Sequence, residues 1–452
     1  MFSASRPIPS RFRVAAGDLV IYLSRFANDI VIRAVVTLAG RADEQRLRHA
    51  LRLLLDAAPI AGCRYIERWR RPHFRRLETV DEAGLLQVLP AYGPGDPEAT
   101  LTRYLLEPFE PFEGPLLRAA LIRGVASTPV SDTGVSDTLC LKAHHLFGDG
   151  AGVVEALYLL AELYAALEGD PDYAPTPNVD GNRSLRQVAR QFPRGALWRA
   201  QGPAAPPFAS DPRWALDLAP GADGPPAFIT RAQPAGRLAA VRAYAHAHNA
   251  TVNDVLLAAW YRAVYRLVQP PPGTPLAVAT HINLRRHLPG GRAGAIANLS
   301  QMVSTNIGIE LGATLADTVA LVHAEMARVK DAPPSLALPL LLKVLPYGWV
   351  QRLFDVVAAR LAQSAQPIFA GTLFNNVGAL DPARLTFSAP VTNAYLTACV
   401  PTGAGLQVVA GTCGEQLNVN ALIREIGGNR RVLETLLDYF DQELGSMSQE
   451  TR

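Results

Sequence analysis

The sequence predicts an α+β protein of two lobes, and three observations predict it. Stretches of strand and helix period are interspersed without strict alternation. A proline-rich zone divides the chain near its middle. The 452 residues exceed one compact core at about 150 residues per domain.

The first half mixes both periods. Ile30 to Leu38 is β-branched and reads as a strand. Asp43 to Leu55 repeats apolar residues at helical spacing and stops before Pro59. Leu116 to Ile122 and Thr138 to Ala143 read as strands, and Val153 to Leu167 as a helix closed by Gly169 and Pro171. From Gly169 to Pro226 there are 11 prolines, which forbid continuous helix or central strand. A short helix over Ser184 to Arg199 interrupts that zone. The expected organisation is an N-terminal lobe over 1–180, a linker over 181–226 and a C-terminal lobe over 227–452.

The second half begins with a helix over Thr251 to Val268, where Thr251 and Asp254 are spaced as a capping pair. Leu276 to Asn283 and Thr372 to Val377 read as strands, and Thr314 to Val329 as a helix. Leu406 to Gly411 and Gln416 to Asn420 form a hairpin-like pair, and Arg430 to Leu444 closes the chain as a helix. The leucine-rich stretch from Pro334 to Val350 reads as core or lid.

A net charge of +3 gives no drive onto nucleic acid. The run from Arg64 to Arg71, continuing to Arg75 and Arg76, is the one basic exception: a solvated surface, or a landing site for the phosphates of coenzyme A or for an acidic carrier protein. Cys63, Cys140, Cys399 and Cys413 are too scattered for a metal site and read as reduced core residues. There is no signal-like N-terminus and no run of about 18 uninterrupted apolar residues. A cytoplasmic protein without a transmembrane segment is expected.

The chemistry concentrates between Leu139 and Gly152. A strand runs into His144 and His145, then into a tight turn with Gly148, Asp149 and Gly150, then into a helix. Neighbouring side chains of a strand point to opposite faces, so only one of the two histidines faces a given cavity, and spacing alone does not choose between them. Asp149 is placed to fold back as an orienting carboxylate or to cap the helix. Gly148 and Gly150 permit close approach. One imidazole, neutral at ordinary pH, can take a proton from an attacking hydroxyl or amine and return it to a departing thiolate. Two histidines and an aspartate without further ligands make a poor zinc pattern, so no metal is expected.

His144-His145-Leu-Phe-Gly-Asp149-Gly150 resembles the His-His-x-x-x-Asp-Gly signature of the superfamily of chloramphenicol acetyltransferase, peptide-synthetase condensation domains, plant alcohol acyltransferases and wax ester synthases. Pro111 to Ile122 is similar to the segment that precedes this signature in condensation domains. Thr251 to Ala259, Ile282 to Arg286 and Asn375 to Gly378 are similar to segments of the wax-synthase and polyketide-associated acyltransferase branch.

The resemblance implies two chloramphenicol-acetyltransferase-like lobes forming a V around a channel. It implies that His145 is the base and that Asp149 is structural, paired with Arg285 or, failing that, Arg286. Asn375, Asn376 and Ser304 are candidates for the oxyanion site or channel, while His281 reads as core before channel. The implied activity is acyl transfer from acyl-CoA, or from a phosphopantetheinyl thioester on an acyl or peptidyl carrier protein, to a small acceptor. No cofactor is expected to be held permanently. Two other readings stay open: a stand-alone condensation enzyme, and a non-catalytic module that recruits carrier proteins.

Overall fold

A computed structural model describes residues 7–90, 97–125, 135–199, 211–219, 224–336, 345–363, 372–397, 399–401 and 405–450, with Pro339 and Leu342. The architecture is α+β, as the sequence predicts. Strands among these residues are numbered here in chain order.

The first lobe is organised on a five-stranded sheet. Its order is β12 (Val391–Thr397), β2 (Val31–Leu38), β7 (Val135–His144), β6 (Leu117–Val125) and β5 (Leu86–Pro90). Nearly every residue of β2 is buried, because both faces of the sheet are covered. Ile32, Ala34, Val36 and Leu38 pack into the main core with the helices Glu44–Ala57 and Gly150–Gly169. Val35 points the other way, to Cys140, Ala120 and Tyr104, beneath the helix Pro97–Leu106. A small sheet of β1 (Arg11–Arg13), β4 (His73–Arg76) and β3 (Cys63–Ile66) flanks this lobe.

The helix Gly150–Gly169 is long and apolar enough to cross a membrane. Its residues Val153, Ala156, Leu157, Leu160, Leu163 and Leu167 lie in the core, which accounts for its composition.

The second lobe has a six-stranded sheet. Its order is β10 (Ser300–Asn306), β9 (Ala277–Asn283), β11 (Leu373–Leu380), β13 (Gln407–Cys413), β14 (Gln416–Arg424) and β8 (Pro226–Ala232). The helices Val252–Val268, Leu315–Asp331 and Asn429–Glu450 cover one face. The first two start with capping boxes, Thr251 with Asp254 and Thr314 with Asp317. Trp260, Phe374 and Phe440 meet at the centre of this core with ring centroids 5.2–5.9 Å apart.

Two features depart from the sequence reading, and a third departs in part. The helix expected over Ser184 to Arg199 splits at Pro193 into Arg186–Ala189 and Arg194–Arg199, because proline removes a donor and clashes with the preceding turn. The Pro334 to Val350 stretch lies partly outside the described residues. Of its described residues, Leu336, Leu342, Tyr347 and Val350 are buried in the cores as expected, whereas Trp349, on the helix Tyr347–Gln363, is 62% exposed. Most important, β12 leaves the second half of the chain and pairs antiparallel with β2, Tyr395 opposite Val35. It also touches the other sheet, where Asn393 and Asn418 exchange amide hydrogen bonds of 3.0 and 2.8 Å. A division at residue 227 therefore assigns one strand of the first sheet to the second segment.

Candidate active site

β7 sits between β2 and β6 and delivers its last residue, His144, opposite Val31. Strand alternation then separates the two histidines. The His144 side chain is buried, edge-on to Phe109, and its Nδ1 accepts the backbone N–H of Leu146 at 3.2 Å. Burial, and secondarily the neighbouring His145, push its pKa down to about 3. His144 is a neutral core residue.

His145 is only partly buried. Its backbone N–H is anchored by the Ile30 carbonyl at 2.8 Å. Ile30 has φ 43°, a left-handed conformation that costs a β-branched residue, held here by the site it supports. On the ring, Nδ1 lies 3.0 Å from Asn298 Oδ1. Asn298 Nδ2 donates to Asp18 Oδ1 and to the His145 carbonyl, both at 2.8 Å, which fixes the orientation of the amide. Its oxygen therefore faces the imidazole, so Nδ1 carries the proton and Nε2 presents the lone pair. Burial lowers the His145 pKa against the opposing pull of Asp149, Asn298 and Asp18, so the ring is neutral at ordinary pH.

Two buried ion pairs brace this imidazole. Asp149 caps the helix Gly150–Gly169 through Gly152 N–H at 2.9 Å. Its carboxylate also takes Arg285 Nη1 at 3.0 and 2.9 Å and the Leu299 N–H at 2.7 Å. Arg285 in turn donates to the Ala297 carbonyl at 2.9 Å. Both side chains are only 3% exposed, whereas Arg286 is exposed. In the second pair Arg183 reaches both oxygens of Asp18 at 3.1 Å and the carbonyls of Leu146 and Phe147 at 2.9 and 2.7 Å. The segment Ile296 to Leu299 lies between the pairs and ties the second lobe to the histidine turn.

The glycines divide differently from the sequence reading. A Cβ on Gly148 would lie 2.9 Å from Ile296 Cγ2, and one on Gly152 only 3.1 Å from the same atom. A Cβ on Gly150 would meet Leu396 and Val377 at an ordinary 3.7 Å. Close approach thus requires Gly148 and Gly152, and not Gly150. Gly17 plays the matching part on the helix Ala16–Leu23, where a Cβ would stand 2.8 Å from the Asn298 carbonyl.

Across from the motif, His281 lies on the solvent-accessible face of β9, not in the core. Its Nδ1 is 2.8 Å from Asn375 Oδ1 on β11. Desolvation lowers its pKa, the Asn375 hydrogen bond opposes this, and His145 lowers it further. Ser304 is exposed on β10 opposite Ala279, and so shares the face of His281. Asn376 turns to the Gly378 N–H at 2.8 Å, at the register slip between β11 and β13. The fold therefore brings His145, Asp149 and Arg285 into one assembly and sets His281 with Asn375 nearby, while Asn376 closes a local turn. Asp18, Arg183 and Asn298 escaped sequence reading. Asp18 alone left a signal, a carboxylate inside the apolar run Ala16 to Leu23.

No family model matches the chain, and no curated protein is similar to it in sequence. Solved structures share its fold over nearly the whole length. The first condensation domain of the CDA synthetase superposes with a TM-score of 0.65 at 18% identity, covering 98% of this chain and 97% of that one. Trichothecene 15-O-acetyltransferase from Fusarium sporotrichioides superposes at 0.69 with 13% identity, over 98% and 100% of the two chains. Polyketide synthase associated protein 5 from Mycobacterium tuberculosis superposes at 0.61 with 13% identity, over 97% and 98%. The fold is thus the two-lobed one common to condensation domains and chloramphenicol-acetyltransferase-like acyltransferases.

Proposed function

We propose that this protein is an acyltransferase that moves an acyl group from a pantetheine thioester to a small hydroxyl or amine acceptor, with His145 as general base. One observation carries the reading: Asn298 holds the Nδ1 proton of His145 and leaves Nε2 free, on a neutral imidazole that is still accessible. Nε2 removes the acceptor proton as the acceptor attacks the thioester carbonyl. The tetrahedral intermediate collapses, the carbon–sulfur bond breaks, and the imidazolium returns the proton to the leaving thiolate. The acyl group passes directly between substrates bound together, so the histidine is not acylated. Asn375, whose Oδ1 is taken by His281, retains an amide N–H₂ that suits an oxyanion. The thioester is borne by coenzyme A or by a carrier protein. The fold shared with condensation domains and an O-acetyltransferase supports acyl transfer.

The test is thiol release from acyl-CoA and from acyl-carrier protein against a panel of alcohols and amines. His145→Ala should lower turnover by roughly 10²- to 10⁴-fold while the protein stays folded. Initial velocities with both substrates varied should give intersecting lines. Full turnover in His145→Ala, or a trapped acyl-enzyme with parallel lines, rejects the reading.

A further inference from the structure

We infer that a cavity beside the N-terminal lobe's core binds an amphiphilic phosphate, a molecule with an apolar chain and a phosphate head. The cavity has a volume of about 1140 Å³. It reaches Phe147, Arg183 and Ile296, but none of His145, Asp149 and His281 borders it. It is therefore a site apart from the one described above.

The walls sort by chemistry. Leu19, Ile60, Phe147 and Leu163 line it and are 8%, 7%, 0% and 2% exposed, so the deep wall is apolar. Arg13, Arg70, Arg71 and Arg186 line it and are exposed, so the mouth is cationic. Among the described residues these four guanidinium groups have no ion pair and no side-chain hydrogen bond. Arg33, Arg41, Arg48, Arg76, Arg118 and Arg123 of the same lobe each face a carboxylate, so the four at the cavity are not among the arginines that this lobe neutralises internally. Of the two carboxylates that border the cavity, Glu162 and Asp180, the first is engaged by Arg384 at 3.1 Å. Arg183 is taken by Asp18 and backbone carbonyls and adds nothing to the mouth.

Four guanidinium groups from three separate segments, none neutralised by a carboxylate, border one cavity and give it a positive potential that favours an anion. Their planar donor forks match phosphate oxygens. An inorganic phosphate would leave the apolar wall wet, and a neutral lipid would leave the charges unanswered. An apolar chain with a phosphate head satisfies both walls.

The test is calorimetric titration of the full chain with dodecyl phosphate, dodecanoate, dodecanol and inorganic phosphate, each below its micellar concentration. Dodecyl phosphate should bind one to one and more tightly than the other three. Arg70→Ala/Arg71→Ala should weaken it by roughly tenfold or more, the effect of losing charge-assisted hydrogen bonds. Arg13→Ala/Arg186→Ala, on other elements, should do the same. His145→Ala should leave the affinity unchanged, which keeps this inference independent of the acyl-transfer reading. Equal binding of any of the three comparison ligands overturns the inference. So does unaltered affinity in whichever arginine pair folds, judged by circular dichroism, or loss of binding in His145→Ala.

Discussion

Asn298 grips His145 at both ends of the residue: its Oδ1 receives the Nδ1 proton at 3.0 Å and its Nδ2 donates to the backbone carbonyl at 2.8 Å. The imidazole is thereby fixed in tautomer and in orientation. Asn298→Ala should lower kcat by about 10²-fold, the scale of a lost orientation, with KM little changed. Steady-state kinetics on a variant shown to be folded would check this, and an unchanged kcat would remove Asn298 from the machinery.

The acid limb of the rate profile should lie below the ordinary imidazole value of 6.5, because burial lowers the His145 pKa and keeps the base deprotonated to lower pH. A profile of kcat/KM against pH reads this directly. An acid limb above that value would mean that a different group is titrating.

Stability should fall on acidification for a separate reason. His144 is held at about 3 in the fold against 6.5 for a free imidazole. The unfolded chain binds that proton more tightly, so the stabilising contribution is complete above pH 6.5 and drains away toward pH 3. The slope should approach about 1 kcal/mol per pH unit in that window. His144→Asn keeps an acceptor for the Leu146 N–H and should flatten the slope in urea unfolding at several pH values.

Arg285→Ala should destabilise the protein by about 3–5 kcal/mol, since it leaves the Asp149 carboxylate buried without its cation. The double variant with Asp149→Ala should lose less than the two single changes combined. Denaturant unfolding of all four proteins forms the cycle. Additive losses would mean that the pair is not coupled.

Alanine should be tolerated at one glycine of the turn and resisted at another. Gly150→Ala should stay within about 0.5 kcal/mol of the parent, since its Cβ meets only ordinary contacts. Gly148→Ala should cost about 1–3 kcal/mol, because Ile296 must move. Thermal or urea unfolding separates the two, and equal losses would refute the steric assignment.

Much of this was legible in the residues. A β-branched run gave β2, helical spacing with the Thr251/Asp254 cap gave Val252–Val268, and helical spacing gave Leu315–Asp331. The motif located the histidine turn, and the Asn283-Leu284-Arg285 pattern located the partner of Asp149. Short or half-exposed strands were illegible: β1, β3 and β4 are three or four residues long and too brief for any period to show. Spacing alone cannot choose between His144 and His145, because strand alternation separates faces without saying which is covered; the choice of His145 rests on the resemblance of the motif. Asn298 and Arg183 act through contacts 153 and 165 residues away in sequence, a distance over which local pattern carries no information.

The crossing of β12 bears on how the chain is made. Synthesis delivers β2, β6 and β7 early, but the strand that seals the β2 edge, Val391–Thr397, follows β2 by more than 350 residues. Until it emerges, β2 presents unpaired amides and carbonyls along one side, the kind of edge that recruits strands from other chains. The N-terminal lobe therefore cannot mature first and wait for its neighbour, as independent domains do. Closing a contact between residues more than 350 positions apart is a slow, late event. A nascent chain stalled in the second lobe would carry an open sheet, and such truncated products should aggregate rather than accumulate as a folded half.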